Sequence, residues 1–273
     1  MQKSLRVISF NIQNRLGESR AVRNTRMGKI ASLIKEQSPD LVCLQEVLIT
    51  DHEILQDQLA VSDAAFVPRE DGERLGEGSP IYCLGEGWHI EERQHFWLSN
   101  TPHQPSISWK AKHRRIATVA QLAHPKFAKG LWLVNLHLDH ASHLARREAL
   151  KLVRRQLARW RIDTSTPLLV CGDFNMRPAG LAVTGFLLNT AQGANEYALY
   201  DSALANEHKA VESTFLGWGR FKLFSARLDY CLHSSQLQCV NYDTLNPMSN
   251  GEWLSDHRLV LADYQLKRGE LLS

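Results

Sequence analysis

Runs of apolar residues recur along the chain, and several end abruptly in acids, amides or histidine. Residues 168–171 are four apolar side chains in a row after Pro167, as expected of a strand buried on both faces. Residues 5–10 and 41–47 have the same character. Further strands are predicted at residues 79–84, 116–122, 131–140, 226–232 and 259–266, with a hairpin-like stretch over residues 88–98.

Other segments repeat their apolar side chains at helical spacing. In residues 26–37, Ile30 and Ile34 fall on one face of the predicted helix. A second amphipathic helix is predicted from about residue 142 to residue 161, and a short one at residues 181–188. Helices that alternate with apolar strands indicate a layered α/β protein.

The composition fits one soluble globular domain. Of the 273 residues, 44% are apolar and 22% charged, which is ample for a continuous core. No linker, low-complexity tract or short repeat interrupts the pattern, so we predict a single domain over residues 1–273. The net charge of +3 permits a polyanionic partner without requiring one. The second predicted helix has a basic face, which we interpret as a solvent-exposed surface, with nucleic-acid binding as the alternative. It consists of Arg147, Lys151, Arg154, Arg155 and Arg159.

The chain carries the marks of a cytoplasmic protein. No signal peptide precedes residues 5–10, and no apolar run reaches membrane-spanning length, so we expect no membrane association. No feature calls for an obligate protein partner. An odd number of cysteines without zinc-type spacing argues against a disulfide framework and predicts buried free thiols in a reducing compartment: Cys43, Cys83, Cys171, Cys231 and Cys239.

The first candidate chemistry lies where residues 168–171 end, in Gly172-Asp173-Phe174-Asn175. Gly172 lets the backbone turn tightly, and Asp173 and Asn175 lie two positions apart, so their side chains can point the same way. An acid and an amide at a strand end suit a hard cation, an attacking water or both. An Asx-turn that caps the strand is the alternative explanation.

Similar polar endings occur on two other predicted strands. Asn135, His137 and Asp139 alternate with leucines, so the three polar side chains are predicted to line one face. Glu46 stands near the end of residues 41–47, where a carboxylate needs a cation or hydrogen-bond donors. This recurrence favours one shared site over a set of unrelated turns.

Six motifs in this order resemble the endonuclease/exonuclease/phosphatase superfamily, which has the DNase I-like fold. They are Ser9-Phe10-Asn11, Leu44-Gln45-Glu46-Val47, Asn135-Leu136-His137-Leu138, Gly172-Asp173-Phe174-Asn175, Arg227-Leu228-Asp229-Tyr230 and Ser255-Asp256-His257. The similarity spans residues 5–262, nearly the whole chain. A small bacterial branch is more similar still, through Gly76-Glu77, Phe96-Trp97-Leu98-Ser99 and the run His137-Leu138-Asp139-His140.

The resemblance implies a four-layer α/β sandwich, in which two mixed sheets pack face to face with helices outside and the site lies at one end. It also implies a Mg²⁺ or Mn²⁺ cofactor, held by Glu46 with help from Asn11 and Asp256. Oxygen ligands suit such a hard ion, which keeps several waters.

The resemblance assigns hydrolysis of a phosphoester by in-line attack of water. Asp173 would orient or deprotonate that water, and Asn175 would hold the phosphoryl group. His257 would bind a non-bridging oxygen, with its ring oriented by Asp229 or Asp256; the sequence leaves both partners open.

The opposite side of the phosphate is assigned in the same way. His137 would face it, paired with Glu77, and Arg115 is a further candidate donor to the phosphate. Where related exonucleases carry a metal-binding acid two residues after the first Asn, this chain has Gln13, which argues against a second ligand there.

The remaining residues of the bacterial motif receive no catalytic role from the sequence. Asp139 is expected to hold Arg146 across the start of the second helix, as a structural contact. His140 has no predicted role.

Three functions compete at this level. The first is a metal-dependent phosphodiesterase, specifically a nuclease acting on DNA or RNA. The second is a phosphatase or phosphodiesterase for a small sugar, nucleotide or lipid phosphate. The third is a catalytically silent nucleic-acid-binding protein, against which the intact motif residues argue. Four indoles are candidate walls of a small-molecule pocket, although core packing is the commoner role of tryptophan: Trp88, Trp97, Trp109 and Trp218.

Overall fold

Two mixed β-sheets form the centre of the computed structural model, which describes residues 4–160, 165–182, 184, 186, 198–205, 211–217 and 225–267. In chain order its strands are β1 (Leu5–Asn11), β2 (Leu41–Gln45), β3 (Asp63–Ala65), β4 (Ile81–Cys83), β5 (His89–Trp97), β6 (Ile116–His124), β7 (Phe127–His137), β8 (Leu168–Asp173), β9 (Leu199–Asp201), β10 (Asp229–Ser234), β11 (Leu237–Leu245), β12 (Met248–Ser249), β13 (Glu252–Trp253) and β14 (Leu259–Leu266). The strand order is β11-β14-β1-β2-β4-β3 in the first sheet and β5-β6-β7-β8-β10-β9 in the second, while β12 and β13 form a small hairpin.

The described helices are α1 (Arg20–Glu36), α2 (Ile49–Leu59), α3 (His143–Arg159) and α4 (Pro178–Ala182), with a 3₁₀ turn at Ser202–Leu204. Helix α1 begins six residues before its predicted start, because the Ser19 hydroxyl accepts the Val22 N–H and caps a polar, exposed first turn. Helix α2 was not predicted. Helix α4 begins three residues before the short helix expected at residues 181–188, and half of that range lies outside the described residues.

The core lies in three layers of apolar contact. Inward-facing residues of both sheets, such as Val7 and Cys171, pack against each other between the sheets. The alternate residues face outward: Ile8 packs under α1 and α2, and Val170 packs under α3. Because helices cover both outer faces, the strands are buried on both sides and read as continuous apolar runs. The predicted four-layer α/β sandwich is confirmed.

A polar clasp joins the two sheets beneath their shared end. Gln45 Nε2 donates to Asn135 Oδ1 over 2.8 Å, and Asn135 Nδ2 donates to the carbonyls of Leu44 and Pro80. Asn135 is fully buried, so of the polar residues that alternate on β7 it holds the sheets together and does not reach a cleft.

All five cysteines are buried and free, as predicted. Among the described residues no helix is long and apolar enough to cross a bilayer.

Candidate active site

Strand register brings the motif residues together at one end of the sandwich. β7 and β8 are parallel neighbours with His137 beside Asp173, and antiparallel β10 places Asp229 opposite Asp173. In the first sheet β1 and β2 end side by side, and Asn11 Nδ2 donates to Glu46 Oε1 over 3.0 Å. Five residues that are far apart in sequence therefore meet across both sheets.

Gly172 is required for the close approach of β8 to β7. Its φ of +138° lies in a region that side chains rarely adopt, and a Cβ on this residue would overlap the carbonyl oxygen of Leu136. Any other residue would therefore displace Asp173 from His137.

Hydrogen-bond donors surround the Asp173 carboxylate. Its Oδ1 accepts the Asn175 backbone N–H over 2.8 Å, and its Oδ2 accepts Asn11 Nδ2 over 3.1 Å and Asn175 Nδ2 over 3.3 Å. The Nε2 atoms of His137 and His257 lie 3.4 and 3.8 Å from the same Oδ2. Donors from four residues thus converge on one buried oxygen.

His257 is held by Asp229, which settles the choice between its two predicted partners. His257 Nδ1 lies 2.8 Å from Asp229 Oδ2, whereas no hydrogen bond joins His257 to the Asp256 side chain among the described residues. Burial would lower the pKa of His257, but the carboxylates of Asp229 and Asp173 outweigh it and raise the pKa to about 10. Burial raises the pKa of Asp173 to about 7, and the nearby Asp229 carboxylate adds to this rise.

Glu46 lies beside Asn11 at the other end of the site. Its Oε2 accepts the Asn14 backbone N–H over 2.8 Å, while its Oε1 accepts Asn11 Nδ2. Burial raises the Glu46 pKa, and the Glu77 carboxylate raises it further. Glu46 and Asn175 have φ values of 62° and 49°, in the left-handed region where non-glycine residues store strain and are enriched at functional sites.

His137 has a different partner from the one the resemblance implied. Arg115 Nη1 lies 2.8 Å from His137 Nδ1, so the ring pairs with a guanidinium and not with Glu77. Glu77 instead accepts Asn14 Nδ2 over 3.0 Å and forms an ion pair with Arg69 at 2.5 Å. The expected contact between His137 and Glu77 is therefore wrong, because Arg69 occupies the carboxylate.

The charge of the site fits a divalent cation. Four acids converge here: Glu46, Asp173, Asp229 and Asp256. Asp229 Oδ1 is buried without a hydrogen-bond partner in the described part of the chain. Burial raises the pKa of Asp256 as well as those of Glu46 and Asp173, so a bound cation would offset the cost of burying these three charges. Ligand atoms of Asp173, Asp229 and His257 lie within 4.8 Å of one another, but His257 and Asp229 already bond each other. Glu46 and Asp256, which stay partly accessible, are the better candidate ligands.

Asn11 contributes mainly by position. Its Nδ2 links Glu46 to Asp173, and its Oδ1 accepts the Gln13 backbone N–H over 3.0 Å, which leaves one lone pair for a cation. The Gln13 side chain accepts from Arg15 Nε, so it is directed away from Asn11.

Asp139 fastens two loops together. Its Oδ1 accepts the backbone N–H groups of Ala141 and Ser142, and its Oδ2 accepts those of Lys112 and His113. The expected contact between Asp139 and Arg146 is present through the backbone, because Arg146 Nη1 donates to the carbonyl oxygens of residues 139 and 140.

Several supporting residues escaped the sequence analysis. Thr214 Oγ1 accepts the Asp229 N–H, and the Phe215 ring lies 5.1 Å from that of His257. Ser255 Oγ donates to the Asn11 carbonyl and accepts the His257 N–H. Only Ser255 carried a signal, as the first residue of Ser255-Asp256-His257.

Two of the four indoles considered as pocket walls are buried in the core. Trp88 and Trp97 are buried, and Trp97 Nε1 donates to the Arg69 carbonyl. Trp109 packs on the core beneath α3, and Trp218 lies outside the described residues.

Three residues of the basic face of α3 contact nearby groups of the protein. Arg147 and Lys151 lie 3.5 and 2.9 Å from Glu148, and Arg154 donates to the Phe186 carbonyl. These contacts are consistent with the solvation that the sequence favoured.

Comparison with known proteins gives a consistent assignment. The model of the endonuclease/exonuclease/phosphatase family matches residues 8–257. The chain is similar to the endonuclease/exonuclease/phosphatase from Bacteroides vulgatus, with 27% identity, a TM-score of 0.82, and 97% of this chain and 100% of that chain covered. It is also similar to a mannosyl-6-phosphatase from Bacteroides thetaiotaomicron, with 25% identity, a TM-score of 0.81, and 96% and 100% of the two chains covered.

A more distant likeness shows the fold alone. TDP2 from D. rerio, in complex with a single-strand DNA product, has 17% identity, a TM-score of 0.74, and 96% of this chain and 99% of that chain covered. No curated protein matches the chain. The match over residues 8–257 establishes that this chain belongs to the endonuclease/exonuclease/phosphatase family, whose members hydrolyse phosphoric esters and generally depend on divalent metals.

Proposed function

We propose that this chain hydrolyses phosphodiester bonds with the aid of Mg²⁺ or Mn²⁺, with DNA or RNA as the first substrate class, and that residues 1–273 form one catalytic domain. The environment of Asp173 carries the proposal. This buried carboxylate has a pKa of about 7, so it can accept a proton from water near neutral pH and release it afterwards.

The chain's own residues divide the work around the phosphoryl group. Asp173 takes the proton of the attacking water. His257, held protonated by Asp229, supplies positive charge, and the Asn175 amide and His137 supply N–H donors. Such donors stabilise the charge that develops on the phosphoryl oxygens in the transition state.

Glu46, Asn11 and Asp256 would hold the cation. The excess of buried carboxylates and their raised pKa values support this set. When bound, the cation supplies further charge to stabilise the phosphoryl oxygens and lowers the pKa of nearby water.

A neighbouring cleft supports a diester substrate. A cleft of about 600 Å³ lies between α1 and the β12–β13 hairpin, with Arg15 and Trp253 in its lining. Arg26, also in the lining, donates to the carbonyls of Ile12 and Leu254, on the segments that carry Asn11 and Asp256. A diester has an alcohol on each side of phosphorus, and in this proposal the cleft would receive one of them.

A small sugar phosphate is the second candidate substrate. The similarity to a mannosyl-6-phosphatase over nearly the whole chain favours it, as does the local engagement of the basic residues on α3. A substrate panel separates the two classes: a bis-aryl phosphate and single-stranded DNA against an aryl monophosphate and a hexose 6-phosphate. Turnover of the monoesters alone would contradict the diesterase proposal.

Asp173→Asn tests the proposed base directly. We expect the variant to fold, because an amide keeps the acceptor for the Asn175 N–H, and to lose about 10³-fold or more in kcat. Turnover by the wild-type protein should stop with EDTA and return with Mg²⁺ or Mn²⁺. Full activity in Asp173→Asn would remove the assignment. Binding of RNA without any turnover would favour the catalytically silent alternative.

A further inference from the structure

One arginine contacts two histidines of the motif His137-Leu138-Asp139-His140. Arg115 Nη1 lies 2.8 Å from His137 Nδ1, and Arg115 Nη2 lies 3.3 Å from His140 Nδ1. Arg115 is only 5% exposed and forms no ion pair with a carboxylate in the described part of the chain. The two terminal nitrogens of its guanidinium therefore each contact one imidazole ring.

The chemistry of the contact fixes the state of each ring. A guanidinium carries only N–H donors and does not lose its proton in proteins, so the nitrogen that faces it must accept. A neutral imidazole with Nδ1 as acceptor carries its proton on Nε2. Protonation of His137 would set two N–H groups against each other.

The wider surroundings of His137 act in the same direction. Burial lowers its pKa well below the ordinary value, and the charges of Arg115, Arg69 and His257 lower it further. The Asp173 carboxylate, 3.4 Å away, faces Nε2, which already carries the proton in this tautomer.

The Asp139 carboxylate holds together the two loops next to Arg115 and His140. The Asp139 carboxylate binds backbone N–H groups of residues 112 and 113 on one loop and of residues 141 and 142 on the other. The first loop leads to Arg115 and the second contains His140. Asp139 and His140, which receive no catalytic role from the sequence, thus both support the position of Arg115.

We propose that Arg115 is a positioning residue that fixes His137 and His140 as neutral imidazoles with the proton on Nε2. This side of the site then offers hydrogen-bond donors and no general acid. The kinetic part of the proposal rests on the proposed phosphoesterase function, whereas the tautomers are properties of the resting protein.

Nitrogen NMR measures the tautomers without substrate or metal. Protein labelled with ¹⁵N-histidine is recorded in long-range ¹H–¹⁵N correlation at pH 7, and His137→Gln and His140→Gln assign the signals. We expect pyrrole-like Nε2 and pyridine-like Nδ1 shifts for both rings. A protonated Nδ1 on His137 would overturn the proposal whether or not the protein is an esterase.

Arg115→Met removes the donor at nearly constant size. We expect mixed tautomers at His137 and a fall in kcat of about 10-fold or more, with Arg115→Lys intermediate because its ammonium can serve only one ring. A raised KM with unchanged tautomers would instead identify Arg115 as a phosphate ligand and contradict positioning. Arg159→Gln is the matched control: it removes an exposed arginine–histidine contact, to His103, at the far end of α3, and should leave kcat unchanged.

Discussion

The two histidines on either side of Asp173 show how a partner's charge decides the chemistry of one residue type. His257 faces a buried carboxylate, Asp229, and its pKa rises to about 10. His137 faces a buried guanidinium, Arg115, and its pKa falls well below the ordinary value. Both rings are about equally buried, so burial does not explain the difference.

The two halves of the site, His257 with Asp229 and His137 with Arg115, also differ in which sheets contribute their residues. His257 lies just before β14 in the first sheet, while Asp229 begins β10 in the second. The pair of His257 and Asp229 therefore forms only when the two sheets pack together. His137 and Arg115 both belong to the second sheet or the loop leading into it. The pair of His137 and Arg115 is thus built within one sheet, and the pair of His257 and Asp229 between two.

The largest difference between the halves is expected in turnover. His257→Gln should lower kcat by about 10³-fold, because an amide cannot replace the charge of an imidazolium, whereas His137→Gln should cost about 10-fold, because an amide N–H can replace a neutral donor. Both variants are assayed with the best substrate of the panel under saturating Mn²⁺. Equal losses would contradict the different charges that we assign to the two rings.

Stability at high pH is the next expected difference. The folded-state pKa of His257 is raised, so its ion pair stabilises the fold fully below about pH 6.5, and this contribution is lost as pH rises through about 10. We expect wild type to exceed His257→Gln in unfolding free energy by on the order of 3 kcal/mol at pH 7.

Urea unfolding of metal-free protein at pH 7 and pH 10.5 measures the effect. The gap between wild type and His257→Gln should narrow at the higher pH, and subtraction of the variant cancels lysine and tyrosine titration. The corresponding gap for His137→Gln should stay constant, since its ring is already neutral. A gap for His257 that is the same at both pH values would contradict the ion pair.

The smallest effect is expected at Glu77. Because Glu77 pairs with Arg69 and Asn14 and not with His137, Glu77→Gln keeps the acceptor for Asn14 and loses only one ion pair. We expect kcat to fall less than about 5-fold. A loss comparable to that of His257→Gln would place Glu77 back in the catalytic machinery.

Much of the architecture could be predicted from local pattern. The apolar runs that became β1, β2 and β8 are buried on both faces, as their composition requires in a sandwich covered by helices. The polar residues at their ends do converge. The start of α1 could not be predicted, because its first turn is held by the Ser19 cap and carries no apolar stripe.

The pairing of side chains could not be predicted in the same way. The sequence left Asp229 and Asp256 equal as partners of His257, and the antiparallel register of β8 and β10 selects Asp229. The resemblance implied Glu77 for His137, but Arg69 takes that carboxylate and Arg115 takes the ring.

The sequence by itself determined which residue types stand at the strand ends, and with them the layered fold and the family. Only the tertiary structure decided which charge each imidazole faces. The physical reason is range: strand burial depends on neighbours along the chain, whereas a histidine's protonation depends on groups within a few ångströms that arrive from distant segments.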